Sequence, residues 1–355
     1  MKRILAAAVG IALLSLLPLS AGAATLAEAG KSAVLMDVTT GTVLYEHNSH
    51  EALAPASVTK VMTMLLIMEA ADSGKIALTD TVTASEAAAA KGGSQIYLKA
   101  GETMSVSDML KSIAVSSAND CACAMAEHIC GSESAFVEAM NRRAKELGMQ
   151  DTHFVNCTGL DDDDSAKLHR TSAYDIALMS RELLKNHPDI KKYTTIWMDT
   201  VRNGAFGLSN TNKLIRFYPG ATGLKTGYTA GAGYCLSASA QKEGMELIAV
   251  VMGAKTSQAR NAACKELLDY GFANFAVVAP EPEELPQVAV RLGKQTQVPV
   301  KMEETAGMLI EKSQRSGITT EISLEESVAA PVVRGQTLGN LSVKSGEQTL
   351  RQIPL

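Results

Sequence analysis

Along "SAVLMDVTTGTVLYEHNS", from Ser32 onward, apolar and polar residues alternate about a Thr-Gly turn; the period then lengthens to that of helices and returns to two only at Lys225. A period of two sends alternate side chains to opposite faces of a strand, so the first stretch reads as a hairpin over about Ser32 to Glu46. The later stretch, "KTGYTAGAGYCLSASAQKEGMELIAVVMGA", reads as two strands joined by a turn at Glu243 and Gly244. Strands before and after a helical stretch imply an α+β domain whose antiparallel sheet is shared by both chain ends, with the helices inserted between them. One helix is predicted to begin near Ser57, apolar at Val61, Met64, Leu65 and Met68 and stopped by Gly74. Others are predicted from about Ser105 and through "SESAFVEAMNRRAKELGM", "TSAYDIALMSRELLKNHPDI" and "SQARNAACKELLDYGFANF".

The proline-rich run "APEPEELP" from Ala279 reads as a linker. Segments beyond it, such as "QVAVRLG", "TTEISLEE" and "LSVKSGEQTL", alternate with period two, so residues 279–355 are expected to form a small all-β domain after a main domain at 24–278. Residues 1–23 carry a basic start, an apolar centre and the small-residue end Ala21, Gly22, Ala23, the pattern of a secretory signal peptide. The protein is therefore expected to be exported and to work outside the cytoplasm. A chain of 355 residues with 46% hydrophobic and 20% charged residues is globular, and a net charge of -5 without a basic run excludes a nucleic-acid partner.

Six cysteines in an exported chain invite a disulfide reading. Cys121, Cys123 and Cys130 lie in one helical segment, at spacings that diverge or stand about 10 Å apart, beyond disulfide reach. Cys157, Cys235 and Cys264 stand singly among apolar neighbours and suit buried free thiols at least as well as bridges.

"PASVTK" places Ser57 and Lys60 three apart at the start of the apolar helix. A helix puts positions i and i+3 on one face, so the amine can reach the hydroxyl. The same spacing recurs at Ser239 and Lys242, but there the pattern is a strand, in which the two side chains point to opposite faces. A serine hydroxyl needs a base, and a lysine is a base only when neutral; burial lowers its pKa, and a second ammonium nearby lowers it further. Burial under the helix supplies the first condition for Lys60, and Lys225 is expected to supply the second. A helix N-terminus at Ser57 would also favour an oxyanion.

Two further elements follow in order, "SAN" at Ser117 to Asn119 and "KTG" at Lys225 to Gly227. The set SxxK, Ser-x-Asn, KTG is the signature of the serine β-lactamases and penicillin-binding proteins, and this chain resembles them. "SSANDCACAMAE", "NCTGLDDDDSAKLHRTSAYDIALMSRELL", "GLKTGYTAGAGYCLSASA" and the β-rich tail narrow the likeness to the low-molecular-mass penicillin-binding proteins that are D-alanyl-D-alanine carboxypeptidases, the peptidase S11 family. The likeness spans nearly the whole chain after the signal segment. The middle motif of that family most often reads Ser-Gly-Asn, and Ala118 is a mild departure from it.

The resemblance implies a β-lactamase/transpeptidase-like fold and a serine-type carboxypeptidase that removes the terminal D-alanine from peptidoglycan stem peptides through an acyl-enzyme. It implies Ser57 as nucleophile, Lys60 as general base and Ser117 as proton relay. Asn119 would orient the substrate amide, Lys225, Thr226 and Gly227 would bind substrate, and the backbone N–H of Tyr228 would join that of Ser57 in the oxyanion hole. Arg260 is a further candidate for the substrate carboxylate. β-Lactam antibiotics would be covalent inhibitors, and neither a cofactor nor a metal is expected. Such proteins usually carry an amphipathic membrane-anchoring helix after the β domain; no such segment follows "LRQIPL", so no membrane anchor is evident.

Two alternatives stand beside this reading, a β-lactamase of the same fold and a catalytically inactive cell-wall binding protein. Between Asn119 and Lys225 there is no convincing Glu-x-x-x-Asn pattern of the kind that supplies a deacylating glutamate in class A β-lactamases. A retired site has no reason to keep Ser57, Lys60, Ser117, Asn119 and Lys225 together. The run Asp161 to Asp164 reads as a solvated loop, and His128, His153, His169 and His187 match no ligand spacing. "IWMDTVRNGAFGLSNTN" reads as a strand and loop beside the cleft, without an assigned role.

Overall fold

The computed structural model describes residues 26–162, 164–279, 284–302 and 307–355. The expected signal segment at 1–23 lies outside the described residues, as does Asp163 of the acidic run. Five antiparallel strands form the main sheet: β1 (Ser32–Asp37), β2 (Val43–His47), β3 (Ala221–Thr229), β4 (Gly233–Lys242) and β5 (Met245–Ala254), in the order β2-β1-β5-β4-β3. Both ends of the chain's main domain thus meet in one sheet, as the two zones of alternation predict.

The segment from Lys225 contains two turns, where one was expected. "KTG" lies in the middle of β3, paired with β4 so that Lys225 faces Ser237 and Gly227 faces Cys235, while Glu243 and Gly244 turn β4 into β5. The reading missed the first turn because its glycines, Gly231 and Gly233, fall within a continuous run of small and apolar residues.

The nearly continuous apolar runs of β1 and β5 have a direct cause. Val34, Met36, Ile248, Val250 and Met252 pack on one face of the sheet against the helical layer, whereas Ala33, Leu35, Leu247, Ala249 and Val251 pack on the other against Ala263, Cys264, Leu267 and Leu268. Strands covered on both faces have no polar face to show.

The longer helices among the described residues are α1 (Lys60–Asp72), α2 (Val106–Ser116), α3 (Asn119–Cys130), α4 (Glu133–Glu146), α5 (Ala173–Asn186) and α6 (Ser257–Asn274). Side-chain oxygens of Ser105, Ser132, Ser172 and Thr256 cap four of them by accepting from the N–H three residues on. Beyond α1 the chain turns at Gly74, with φ +74, as its position predicts.

Among the described residues the C-terminal part is all-β apart from one short 3-10 helix, Lys312–Gly317. Ile318–Leu324, Gly339–Ser345 and Gln348–Pro354 form a three-stranded sheet over Leu341, Val343 and Ile353. Phe275–Val278, directly after α6, pairs with Met308–Glu311, so the chain enters this layer before the proline-rich run. All six cysteines are free thiols, and all but Cys130 are buried.

Candidate active site

Ser57 lies in a short 3-10 turn, Ala56–Thr59, that leads into α1; the predicted α-helix itself begins only at Lys60. A 3-10 turn eclipses positions i and i+3, so it serves the Ser57 and Lys60 pairing even better than an α-helix. The Lys60 Nζ stands 2.9 Å from Ser57 Oγ and donates at 2.8 Å to the carbonyl of Thr158. Ser57 is half-buried, while Ala56, Val58, Thr59 and Lys60 around it are buried.

The turn is held in a conformation that local preference does not supply. Ala56 has φ +49, a region costly for a residue with a Cβ. Two glycines let neighbouring chain close on it. A Cβ at Gly159 would stand 1.8 Å from Ala56 O, and one at Gly227 would stand 2.7 Å from Pro55 O and 3.0 Å from Ser57 N. The glycine of "KTG" is therefore a point of close contact between β3 and the Ser57 turn.

The middle motif arrives from another direction. Ser117 is buried in the left-handed bend (φ +63) that joins α2 to α3, and its hydroxyl has no hydrogen-bond partner among the described residues. Asn119 opens α3; its Nδ2 donates to Gly92 O at 2.7 Å, its N–H donates to Ser94 O, and its buried Oδ1 has no partner among the described residues. The end of α2 is tied to the "KTG" strand through Thr211, whose N–H donates to Val115 O at 3.1 Å and whose Oγ1 accepts from Thr226 Oγ1 at 2.7 Å.

Lys225 is buried, and its Nζ donates to Thr226 O at 2.9 Å. Arg260, on α6, is likewise buried, donates to Cys235 O at 3.3 Å and lies over the ring of Tyr234. Tyr234 stacks on Tyr228, which is itself exposed beside "KTG". The second SxxK pair stays apart, as expected: Ser239 Oγ bonds Thr222 Oγ1, while Lys242 Nζ bonds Tyr218 OH.

Burial lowers the Lys60 ammonium to a pKa of about 7, with the Cys157 thiol and the Asp120 carboxylate acting the other way. Lys225 is pushed well below the ordinary lysine range, by burial first and then by the charges of Lys60 and Arg260. The two ammonium groups thus act on each other, and burial is the first cause of the shift at both. Lys60 has two acceptors, Ser57 Oγ and Thr158 O, and the Asp120 carboxylate in its field, whereas Lys225 has the one carbonyl of Thr226.

Several residues of the site were not anticipated. Thr158 anchors Lys60 by a carbonyl, which carries no side-chain signal. Asn156 accepts from the N–H of Thr158 and of Gly159 and so shapes that loop. The Asp120 carboxylate accepts from the N–H of Ile96 and of Leu98, fixing the loop that Asn119 also grips. "IWMDTVRNGAFGLSNTN" forms the hairpin Met198–Val201 and Phe206–Ser209 and supplies Thr211. Among the described residues, one group with metal-ligand types clusters, Glu69, Glu182 and His187, but Arg143 already donates to both glutamates at 2.7 and 2.6 Å. It lies toward the far end of α1 from Ser57.

Comparison with known proteins gives matches over both parts of the chain. Residues 20–256 match the family profile for D-alanyl-D-alanine carboxypeptidases, and residues 279–355 match that of the penicillin-binding protein 5 C-terminal domain. The chain is 46% identical to the D-alanyl-D-alanine carboxypeptidase DacF of Bacillus subtilis, over 100% of this chain and 93% of that protein. Among solved structures, penicillin binding protein 5 from Haemophilus influenzae superposes with a TM-score of 0.77 at 31% identity, over 92% of this chain and 95% of that one. Penicillin-binding protein D2 from Listeria monocytogenes, solved in an ampicillin-bound form, superposes with a TM-score of 0.63 at 32% identity, over 69% of this chain and 98% of that one. No helix among the described residues is long and apolar enough to cross a membrane.

Proposed function

The chain belongs to the D-alanyl-D-alanine carboxypeptidase family, and we propose that it removes the terminal D-alanine from peptidoglycan stem peptides with Ser57 as nucleophile. The observation that carries this reading is the contact of Lys60 Nζ with Ser57 Oγ at 2.9 Å, in a turn against which only a glycine of "KTG" fits.

Substrate binding sets the protons. The terminal carboxylate lies against Lys225, Thr226 and Arg260, where a negative charge favours the protonated Lys225. A charged Lys225 repels the Lys60 ammonium and so favours the neutral amine that the reaction requires. Asn119 Oδ1, a buried acceptor without a partner among the described residues, receives the substrate amide N–H.

Ser57 Oγ attacks the carbonyl carbon of the penultimate D-alanine while its proton passes to Lys60 Nζ. The oxyanion is held by the backbone N–H groups of Ser57 and Tyr228. As the C–N bond breaks, the leaving amine takes a proton relayed from Lys60 by the Ser117 hydroxyl, and D-alanine departs. Water then hydrolyses the Ser57 ester. A β-lactam enters the same step but keeps its leaving group tethered, which makes it a covalent inhibitor. We assign the protein to the cell envelope outside the cytoplasm, because peptidoglycan lies there and residues 1–23 read as an export signal.

The test uses diacetyl-Lys-D-Ala-D-Ala and a labelled penicillin. Wild type is expected to release D-alanine and to hold the label on Ser57, and Ser57→Ala to do neither. Rapid turnover of the penicillin without a lasting adduct would replace this reading by a β-lactamase, and no release by wild type would replace it by a binding protein.

A further inference from the structure

His169 is buried behind the nucleophile turn and takes no part in the reaction described above. The N–H of Val155 donates to its Nδ1 at 3.1 Å, so Nδ1 carries no proton and Nε2 must carry one. That Nε2–H donates at 2.7 Å to Thr59 Oγ1, and the Thr59 hydroxyl is left to donate at 2.8 Å to Ala56 O. The directions of all three bonds follow from the first. Burial keeps the imidazole neutral, with a pKa of about 4, so the chain of donors stays intact at neutral pH.

The terminus of this chain is the point of interest. A peptide unit is planar and trans, so the Ala56 carbonyl and the Ser57 N–H lie in one plane and point in opposite directions. A bond that fixes Ala56 O fixes the aim of the Ser57 N–H. Gly159 lies against the same oxygen, since even a methyl group there would stand 1.8 Å from it. The turn needs such outside restraint because Ala56 is left-handed. A hydrogen bond to the carbonyl also polarises the amide and strengthens its N–H as a donor.

We propose that His169 is a positioning residue for the oxyanion hole, acting through Thr59 on the Ala56–Ser57 peptide plane. The proposal rests on the reading of Ser57 as nucleophile and of its N–H as an oxyanion donor. An oxyanion forms only on the way to the acyl-enzyme, so a misaimed N–H slows acylation and leaves ground-state binding as it was.

Asparagine and glutamine separate the two ends of the imidazole. The His169→Gln amide reaches the place of Nε2 and can donate to Thr59, whereas the shorter His169→Asn amide reaches only the place of Nδ1 and serves Val155. Thr59→Val removes the relay at constant shape, and Thr59→Ser keeps it. The experiment measures kcat and KM for D-alanine release, the second-order rate of acylation by a fluorescent penicillin, and the thermal midpoint of each variant. Thr59→Val and His169→Asn are expected to lose about tenfold or more in kcat and in acylation rate with KM unchanged, and His169→Gln and Thr59→Ser to stay within a few-fold of wild type. If Thr59→Val, or the Asn and Gln variants alike, shift the thermal midpoint while acylating at the wild-type rate, the role is structural and the proposal fails. If His169→Asn does not fold, the Thr59 pair decides by the same criterion. Ser57→Ala serves as the control: an adduct formed by that variant overturns the nucleophile assignment itself.

Discussion

At the scale of single residues, the site depends on two properties that substitution can address separately, proximity and protonation. Gly227 sets proximity, because any larger side chain must push β3 away from Pro55 O and Ser57 N. Gly227→Ala is expected to cost about 1–3 kcal/mol in stability, as other overpacked sites do. It is expected to lose about 100-fold in acylation, the effect of an ångström-scale displacement; acylation by labelled penicillin beside a denaturant titration reads both. Lys60 sets protonation. With its pKa near 7, the neutral fraction falls tenfold for each unit of pH below that value. The acylation rate is therefore expected to climb with pH and to level off just above 7, and a profile flat from pH 5 to 8 would remove Lys60 as the base.

At the scale of elements, the turn before α1 meets the middle of β3 at Gly227, Thr211 ties the end of α2 to the same strand, and loops fill between. Asp120 shows how much such a loop depends on one side chain. Asp120→Ala leaves the N–H groups of Ile96 and Leu98 without acceptors, at about 1–3 kcal/mol each. Faster hydrogen exchange at Ile96 and Leu98 and a lower rate of D-alanine release are the expected outcomes. The sequence made the helices legible where one apolar stripe stands out, as in α2 and α5, and motif order singled out Ser57, Lys60, Ser117, Asn119 and Lys225 as candidates, of which the structure sets Lys60 against Ser57. Thr158, Gly159 and Asn156 were not legible, because a carbonyl acceptor and a close backbone approach leave no mark in side-chain pattern. His169 carries no such mark either: it matches no ligand spacing, and its partners are a hydroxyl 110 residues away and a backbone amide 14 residues away.

At the scale of the whole molecule, the same histidine makes stability depend on acidity. The unfolded chain binds a proton at His169 near the ordinary value of 6.5, while the folded chain does so only near 4, with His153, Arg170 and Lys60 adding to the effect of burial. Stability is therefore fully present above 6.5 and falls as pH drops from 6.5 towards 4, by about 3 kcal/mol from this group. Urea midpoints of wild type and His169→Gln are expected to converge over that interval, and parallel curves would refute the assignment. The buried thiols carry a consequence of another kind. Burial raises Cys121 and Cys157 well above the usual thiol range and brings Cys264 to about 12, so almost no thiolate is present in the folded state. A thiol reagent should modify half-buried Cys130 at once and the remaining five only when the structure opens. The molecule thus contains its own clock for unfolding, spread from the helical layer to the sheet, and mass spectrometry after timed labelling would show which layer opens first.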